Sequence, residues 1–579
     1  MTRLFNDPAR FTDDMITGFA TAHPDHVRAV RGGVVRARPT RKGKVAVLTG
    51  GGSGHYPAFC GVVGPGFADG SVIGNVFTSP SAAQARCVAE EAEAGGGVLF
   101  LFGNYAGDVI NFGLAAQQLE GAGIPARCFA VTDDIASAPA ADTGRRRGIA
   151  GGFVVFKTAS AAAEEGASLD EVVGVAERTN ARTRTLGVAF DGCTLPGAGD
   201  PLFTVPDGRL GLGLGIHGEP GVSEDALGTA DELARTLVDG LLADRPADTA
   251  GDRRVGVVLN GLGATKYEEL YVLWGAVARL LDEAGLTPVR PEVGELVTSL
   301  DMAGCSLTLT WLDEELERLW LAPADTPAFR RGAVPGTTEN TGDNVATVRR
   351  TRTSPAGTLT PTASGEALQV AELTVAALRA ARTTLHRDAV ALGRLDAVAG
   401  DGDHGRGMCK GVDAALAAAE KAHAQQASPG AVLAAAGDAW AAEAGGTSGA
   451  LWGSALRALG STLPADRSPR REELASAAAG ALTAVTSLGK AEVGDKTLVD
   501  ALAPFVTTLT EQLRTGVPVR EAYANAADEA RAAAERTAAL RPRLGRARPL
   551  AERSVGSPDP GATSLAAVLT ALTGIAIPS

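Results

Sequence analysis

At 579 residues the chain exceeds what one hydrophobic core organises, so several units of globular size are expected. A net charge of -13 lacks the basic footprint that sequence-independent nucleic-acid binding requires, and no apolar run approaches the ~18 residues that span a bilayer. The six cysteines, Cys60, Cys87, Cys128, Cys193, Cys305 and Cys409, form no CxxC pair, which speaks against a zinc site or disulfide framework and fits a reducing cytosol. The opening MTRLFNDPARFTDDM has no apolar signal-peptide core, so a cytoplasmic protein acting on small molecules is expected.

In chain order, short β-rich runs (VAVLTG, GVLFLFG, RCFAVT, RVGVVLNGLG) alternate with helical patterns such as SAAQARCVAEEAEAG. This alternation predicts an α/β domain over residues 1–330. Residues 331–362 are rich in Pro, Thr, Gly and Arg without apolar period, and read as a linker. From 363 to 579, eight alanine-rich segments of helical period follow, the first over 366–392 and the last over 562–576, with no convincing strand. An all-α domain is predicted, with its Gly, Asp and Pro at the helix ends, where free N–H groups attract anions.

The stretch GRLDAVAGDGDHGRGMCKG (393–411) places Asp396, Asp401 and Asp403 five and two residues apart, among glycines that let the backbone fold. Three converging carboxylates repel one another, and a divalent cation relieves this; oxygen-only ligands suit magnesium. The plainer reading is a set of solvated Asp-Gly turns. His404 is a poor ligand for so hard an ion and is expected to position the loop or a phosphate. Further helix junctions carry Thr447, Ser448 and Gly449 in GGTSG, Lys496 and Thr497 in GDKT, and Arg546 and Arg553 in GRARPLAERSVGSPDPGA. Together they look like a nucleoside triphosphate pocket, although no G-x-x-x-x-G-K-[ST] occurs.

GLGIHG (213–218) fits the dinucleotide template G-x-G-x-x-G, but Glu219 and Pro220 follow where a helix should open. His217, flanked by small residues, either presents a neutral imidazole or caps loop backbone. Asp108 in NYAGD is a candidate base or a turn residue.

The runs DAVAGDGDHG, GGTSGALWG, GDKTLVDAL and ERSVGSPDPGA resemble the nucleotide-binding domain of the dihydroxyacetone kinases, an eight-helix barrel. GGGSGH (50–55), FTSPS (77–81), NYAGDVINFGLA (104–115), RRGIAGG (146–152) and GIHGEPG (215–221) resemble that family's ketose-binding domain, so the resemblance spans everything but the linker. It implies a fused, ATP-dependent kinase, commonly a homodimer. Asp396, Asp401 and Asp403 would hold two magnesium ions bridging the phosphates of ATP, with His404, Thr447, Ser448, Gly449, Lys496, Thr497, Arg546 and Arg553 lining the nucleotide side. His217 would bond covalently to the substrate carbonyl as a hemiaminal. Asp108 would take the proton of the attacking hydroxyl with His55 as its acid–base partner, and Gly52, Ser53, Gly54 and Ser79 would line the pocket.

Three departures stand out. The family usually reads GHEPAH where this chain has GHYPAF, so Tyr56 and Phe59 replace polar groups beside His55; NYTGD becomes NYAGD, and GRASYLGERS becomes GRARPLAERS. Tyr56 and Phe59 are therefore expected to shape substrate choice. They resemble the branch acting on four-carbon ketoses, which points to D- or L-erythrulose, with dihydroxyacetone as the alternative. The rival readings are a lyase acting on flavin adenine dinucleotide with manganese and a catalytically silent ketose sensor.

Overall fold

Buried apolar runs become the strands of the first half. The computed structural model describes residues 2–332, 363, 365–400, 402–544 and 551–575. The chain divides into two units, Met1–Pro335 and Gly336–Ser579. Of the expected linker, Arg331 pairs in a short strand of the first unit, and 333–362 lie outside the described residues.

The first unit holds two large sheets and a short two-stranded one, Ala324–Asp325 against Arg330–Arg331. Strands β1 (Val27–Val30), β2 (Gly33–Arg36), β3 (Ala46–Ser53), β4 (Gly70–Val76), β5 (Val98–Gly103) and β6 (Ala126–Val131) lie in the order β1-β2-β4-β3-β5-β6. The β4-β3-β5-β6 pairs are parallel, while β1-β2 and β2-β4 are antiparallel. Side chains alternate between the faces with period two. Leu48, Phe100 and Phe102 pack with α2 (Ala82–Ala92) and α3 (Ala106–Gly121), while Val47, Leu99 and Leu101 pack with α4 (Gly152–Glu165) and α5 (Leu169–Ala181). Helices on both faces explain why GVLFLFG shows no polar alternation. Helix α2 begins where the sequence signals it, at a Ser81–Gln84 capping box.

The second sheet comprises β7 (Thr183–Ala189), β8 (Arg209–Leu212), β9 (Ser223–Ala226), β10 (Arg254–Gly261), β11 (Thr287–Pro288), β12 (Glu292–Gly294) and β13 (Gly304–Trp311). Its order is β11-β10-β13-β7-β8-β9, with β12 also against β10, and from β10 to β9 every neighbouring pair is antiparallel. Helices α6 (Ala230–Ala243) and α7 (Tyr267–Glu283) cover it with leucines such as Leu237, Leu241, Leu273 and Leu281.

In the second unit the described residues form eight long helices. They are α8 (Glu366–Asp396), α9 (His404–Ala424), α10 (Pro429–Ala444), α11 (Gly446–Ser461), α12 (Arg471–Gly489), α13 (Val499–Arg514), α14 (Val519–Arg536) and α15 (Pro560–Leu572). Each packs on the next and α15 packs on α8, which closes the barrel. Its interior is largely alanine, so the alanine-rich period was the imprint of the core. Helices α10 and α11 approach through glycines: a Cβ on Gly437 would lie 2.6 Å from Gly453 O, and one on Gly453 would lie 2.6 Å from Gly437 O. No helix of the described residues is long and apolar enough to cross a membrane.

Candidate active site

In an open α/β sheet, ligands bind beyond the C-terminal ends of the strands, where the chain order reverses. Here the chain leaves β3 for β4 on one side and then returns past β3 to β5 on the other, which opens a crevice at these strand ends. His55 stands just after β3, and Asp108 lies in the first turn of α3, just after β5. His217 arrives from the second sheet, on the loop that joins β8 to β9.

Backbone and carboxylate partners orient the two imidazoles. His55 Nδ1 faces Thr298 O at 2.7 Å, so this nitrogen carries hydrogen. His217 Nδ1 lies 3.0 Å from Glu219 Oε1, whose other oxygen accepts from His217 N at 2.9 Å, so His217 Nδ1 also carries hydrogen. The Nε2 atoms then meet at 3.1 Å, a contact that requires one proton between them. Burial above all, and then the neighbouring His217, pull the His55 pKa down to about 3. Burial works to raise the pKa of Glu219, but the His217 charge, its hydrogen bond and Arg147 outweigh it and hold the carboxyl well below its usual range. Phe77 stacks on His55 with ring centroids 5.0 Å apart and meets His217 edge-on at 5.1 Å. His217 retains 19% side-chain exposure, so its imidazole is reachable from outside.

The cavity is lined by His55, His217, Asp108, Tyr105, Phe59 and Phe156, with Gly51, Gly52, Gly103 and Gly148 supplying backbone. Several expectations need correction. Ser53, Gly54, Tyr56 and Ser79 are not among the described residues of the wall. Ser53 Oγ instead pairs with Thr12 Oγ1 of the N-terminal helix at 3.0 Å. Gly54, at φ +101°, turns its carbonyl to Leu300 N. Ser79 Oγ accepts from Asn111 Nδ2 at 3.4 Å. Tyr56 is 45% exposed and lies against Phe19 at 6.0 Å, so of the two GHYPAF substitutions Phe59 faces the cavity and Tyr56 does not. Ala106 is exposed on α3.

In the second unit the up-and-down course of the helices gathers the predicted loops at one rim. Asp396 ends α8, a turn beyond the predicted helix end, and Asp403 immediately precedes α9. Asp396 Oδ2 accepts from His404 N at 3.4 Å, and a Cβ on residue 400 would strike Asp396 Oδ1 at 2.5 Å, so Gly400 makes room for this carboxylate. Asp401 and Arg546 lie outside the described residues. The described residues alone bring together no group of three or more His, Cys, Asp or Glu able to hold a metal. Burial pushes the Asp559 acid up to about 7, with the carboxylates of Asp500 and Asp396 adding to its cost of ionising, so this rim gathers carboxylate charge.

Two of the expected nucleotide-side residues make contacts within the protein. His404 is buried, and its Nε2 lies 2.9 Å from Ser564 Oγ, so it ties α9 to α15. Lys496 is buried as well: Nζ donates to Leu540 O at 3.1 Å and Ser554 O at 2.6 Å, which leaves it pinning loops together. Asp500 accepts from Gly494 N and Thr497 N, shaping GDKT. Thr447 and Ser448 open α11 half-buried, Gly449 packs under Ala444, and Arg553 is exposed.

Sequence reasoning missed Glu219, Thr298, Phe77 and Tyr105 as site residues. Glu219 had a signal, an acid two residues beyond the candidate nucleophile in GIHGEPG. Thr298 acts through its carbonyl, 243 residues from His55, and no side-chain pattern announces that.

Residues 17–328 match the Dak1 domain and residues 398–574 match the DAK2 domain. A D-erythrulose kinase of Mycolicibacterium smegmatis is 59% identical over 566 residues, covering 98% of this chain and 97% of that one. An L-erythrulose kinase of Pectobacterium atrosepticum is 53% identical, covering 99% and 96%. Among solved structures, the dihydroxyacetone kinase of C. freundii in complex with AMP-PNP and Mg2+ is 30% identical with a TM-score of 0.52, each chain covered to 99%. With both domains matched in order and full-length relatives at this identity, the chain belongs to the dihydroxyacetone kinase family.

Proposed function

We propose that the protein is an ATP-dependent kinase that phosphorylates a terminal hydroxyl of a four-carbon ketose, D- or L-erythrulose, held covalently through its carbonyl. The imidazole pair carries this reading: a partly exposed His217 Nε2 shares a proton with His55 beside the buried Asp108. The names of the two full-length relatives support the substrate. So does the Phe59 ring in the cavity wall, which presents an apolar surface.

The chain's own groups account for the chemistry. The shared proton passes to His55 Nε2, and the freed lone pair of His217 Nε2 attacks the ketose carbonyl carbon. As the C–N bond forms and the carbonyl π bond opens, the oxygen takes the proton from His55. The positive charge ends on the substituted imidazole of His217, against the ionised Glu219. Asp108 accepts the proton of the hydroxyl that receives phosphate. Asp396, Asp401 and Asp403 would hold two magnesium ions, which with ATP supply the phosphoryl group and neutralise its charge.

The test is ADP release with magnesium ATP and, separately, dihydroxyacetone, glyceraldehyde, D-erythrulose and L-erythrulose. Highest kcat/KM is expected with an erythrulose. A dihydroxyacetone preference contradicts the substrate assignment, and ketose binding without ADP from any substrate favours a sensor.

A further inference from the structure

The motif RRGIAGG (146–152) sets two arginines side by side, and the structure gives them different partners. Arg146 donates to both carboxylate oxygens of Asp244, the residue that ends α6, at 2.8 and 2.6 Å. Arg147 instead reaches the loop that carries His217. Its Nε donates to Asp134 Oδ2 at 2.8 Å, its Nη2 donates to Gly213 O at 3.1 Å, and its Nη1 lies 3.9 Å from Glu219 Oε2. Glu219 is the carboxylate that accepts from both N and Nδ1 of His217. A chain of contacts therefore runs from Asp134, just after β6, through Arg147 and Glu219 to the imidazole.

Gly215 makes room for the meeting of Arg147 with Glu219. A Cβ at residue 215 would overlap Glu219 Oε2 and lie 2.5 Å from Arg147 Nη1. Asp134 is buried, and Arg147 and Glu219 have little side-chain exposure, so each charge depends on the next in place of water. Asp134 lies nearer to Arg147 than Glu219 does and offsets its charge. The arginine and its aspartate thus bring little net charge to His217; what they bring is a fixed cationic partner for Glu219 Oε2. The other titratable groups nearby are His55 and the buried Tyr105 phenol, with Asp133 held by the N–H groups of Ile149 and Gly151. Among the described residues, none of Asp134, Arg147 and Glu219 lines the cavity, so they act through His217.

We propose that Arg147, braced by Asp134, is a positioning residue that fixes the Glu219 carboxylate against His217 and so sets how readily the imidazole captures a ketose carbonyl. This rests on reading the cavity as a ketose site in which His217 bonds the carbonyl carbon, and its test requires no phosphoryl transfer. Full-length protein without nucleotide is titrated with erythrulose labelled with carbon-13 at the carbonyl, and the adduct is read by NMR as that carbon moves from a ketone to a tetrahedral, nitrogen-bonded environment. Arg147→Met is expected to raise the ketose concentration for half-conversion to adduct about 10-fold, and Arg147→Lys, which keeps a cation, to stay within about 3-fold of wild type. Arg146→Met removes a cation from the same motif and is expected to lower stability while leaving adduct formation within about 2-fold. Should Arg147→Met fail to fold, as read by circular dichroism, Gly215→Ala carries the test, since it parts Arg147 from Glu219 while keeping both, and the same weakening of about 10-fold is expected. Adduct formation equal to wild type in the folded variant, or an equal loss in Arg146→Met and Arg147→Met, overturns the proposal and leaves the capture reading standing. Wild type that forms no adduct would overturn the capture reading, and the proposal with it.

Discussion

His55 Nε2 and His217 Nε2 lie 3.1 Å apart although 162 residues separate them and they come from different sheets. Each ring's other nitrogen is already committed, to Thr298 O and to Glu219. The two Nε2 atoms therefore share a single proton, and the stability of the first unit is linked to the pair.

With a native pKa of about 3 against an ordinary value near 6.5, His55 stays neutral in the fold while the unfolded chain takes up a proton. Its contribution is present above pH 6.5 and is lost as pH falls towards 3, at up to about 1.4 kcal/mol per pH unit. Glu219, held below its usual range, adds a loss of the same sign at lower pH. Urea unfolding from pH 7 to pH 5 is expected to show a shallower pH slope for His55→Asn than for wild type. Identical slopes would contradict the linkage.

Substrate choice is expected to depend on Phe59 and not on Tyr56. Phe59→Ala should change the ratio of kcat/KM for erythrulose over dihydroxyacetone by about 10-fold, a scale on which pockets weigh a small group. Tyr56→Glu should leave that ratio within about 2-fold, since its ring lies on Phe19. A large effect at Tyr56 with none at Phe59 would overturn this assignment.

The legible and the hidden parts of this molecule divide along physical lines. The eight helices could be read because their interior is alanine at helical spacing, and β3 and β5 because burial on both faces leaves uninterrupted apolar runs. Strands β8 and β9 are four residues each, and β9 is exposed throughout, so neither leaves an apolar signature. Asp108, His55 and His217 were legible through their motifs. The inward turn of Lys496 was not, because its acceptors are carbonyls of residues 540 and 554, and backbone acceptors look alike in any sequence.

That inward turn has its own consequence. Lys496→Met strips the donor from two carbonyls and is expected to lower stability by about 1–3 kcal/mol, read by urea unfolding. A phosphate contact would behave in the opposite way, with a raised KM for ATP and unchanged stability.

Metal binding is expected to depend on the carboxylates at the α8–α9 junction. Asp396→Asn should raise the magnesium concentration for half-maximal ADP release about 10-fold or more while ketose binding by the first unit is unchanged. An unaltered magnesium titration would remove Asp396 from the ligand set.

The central claim is that the carbonyl, captured by His217, is what admits a substrate. We would measure ADP release with magnesium ATP and either D- and L-erythrulose or erythritol, the polyol of the same length, for wild type and His217→Ala. Turnover of an erythrulose but not erythritol by wild type, and a fall on the order of 100-fold or more in kcat/KM for that ketose in the variant, is the predicted result. Comparable rates with ketose and polyol, or a variant as active as wild type, would contradict covalent capture by His217.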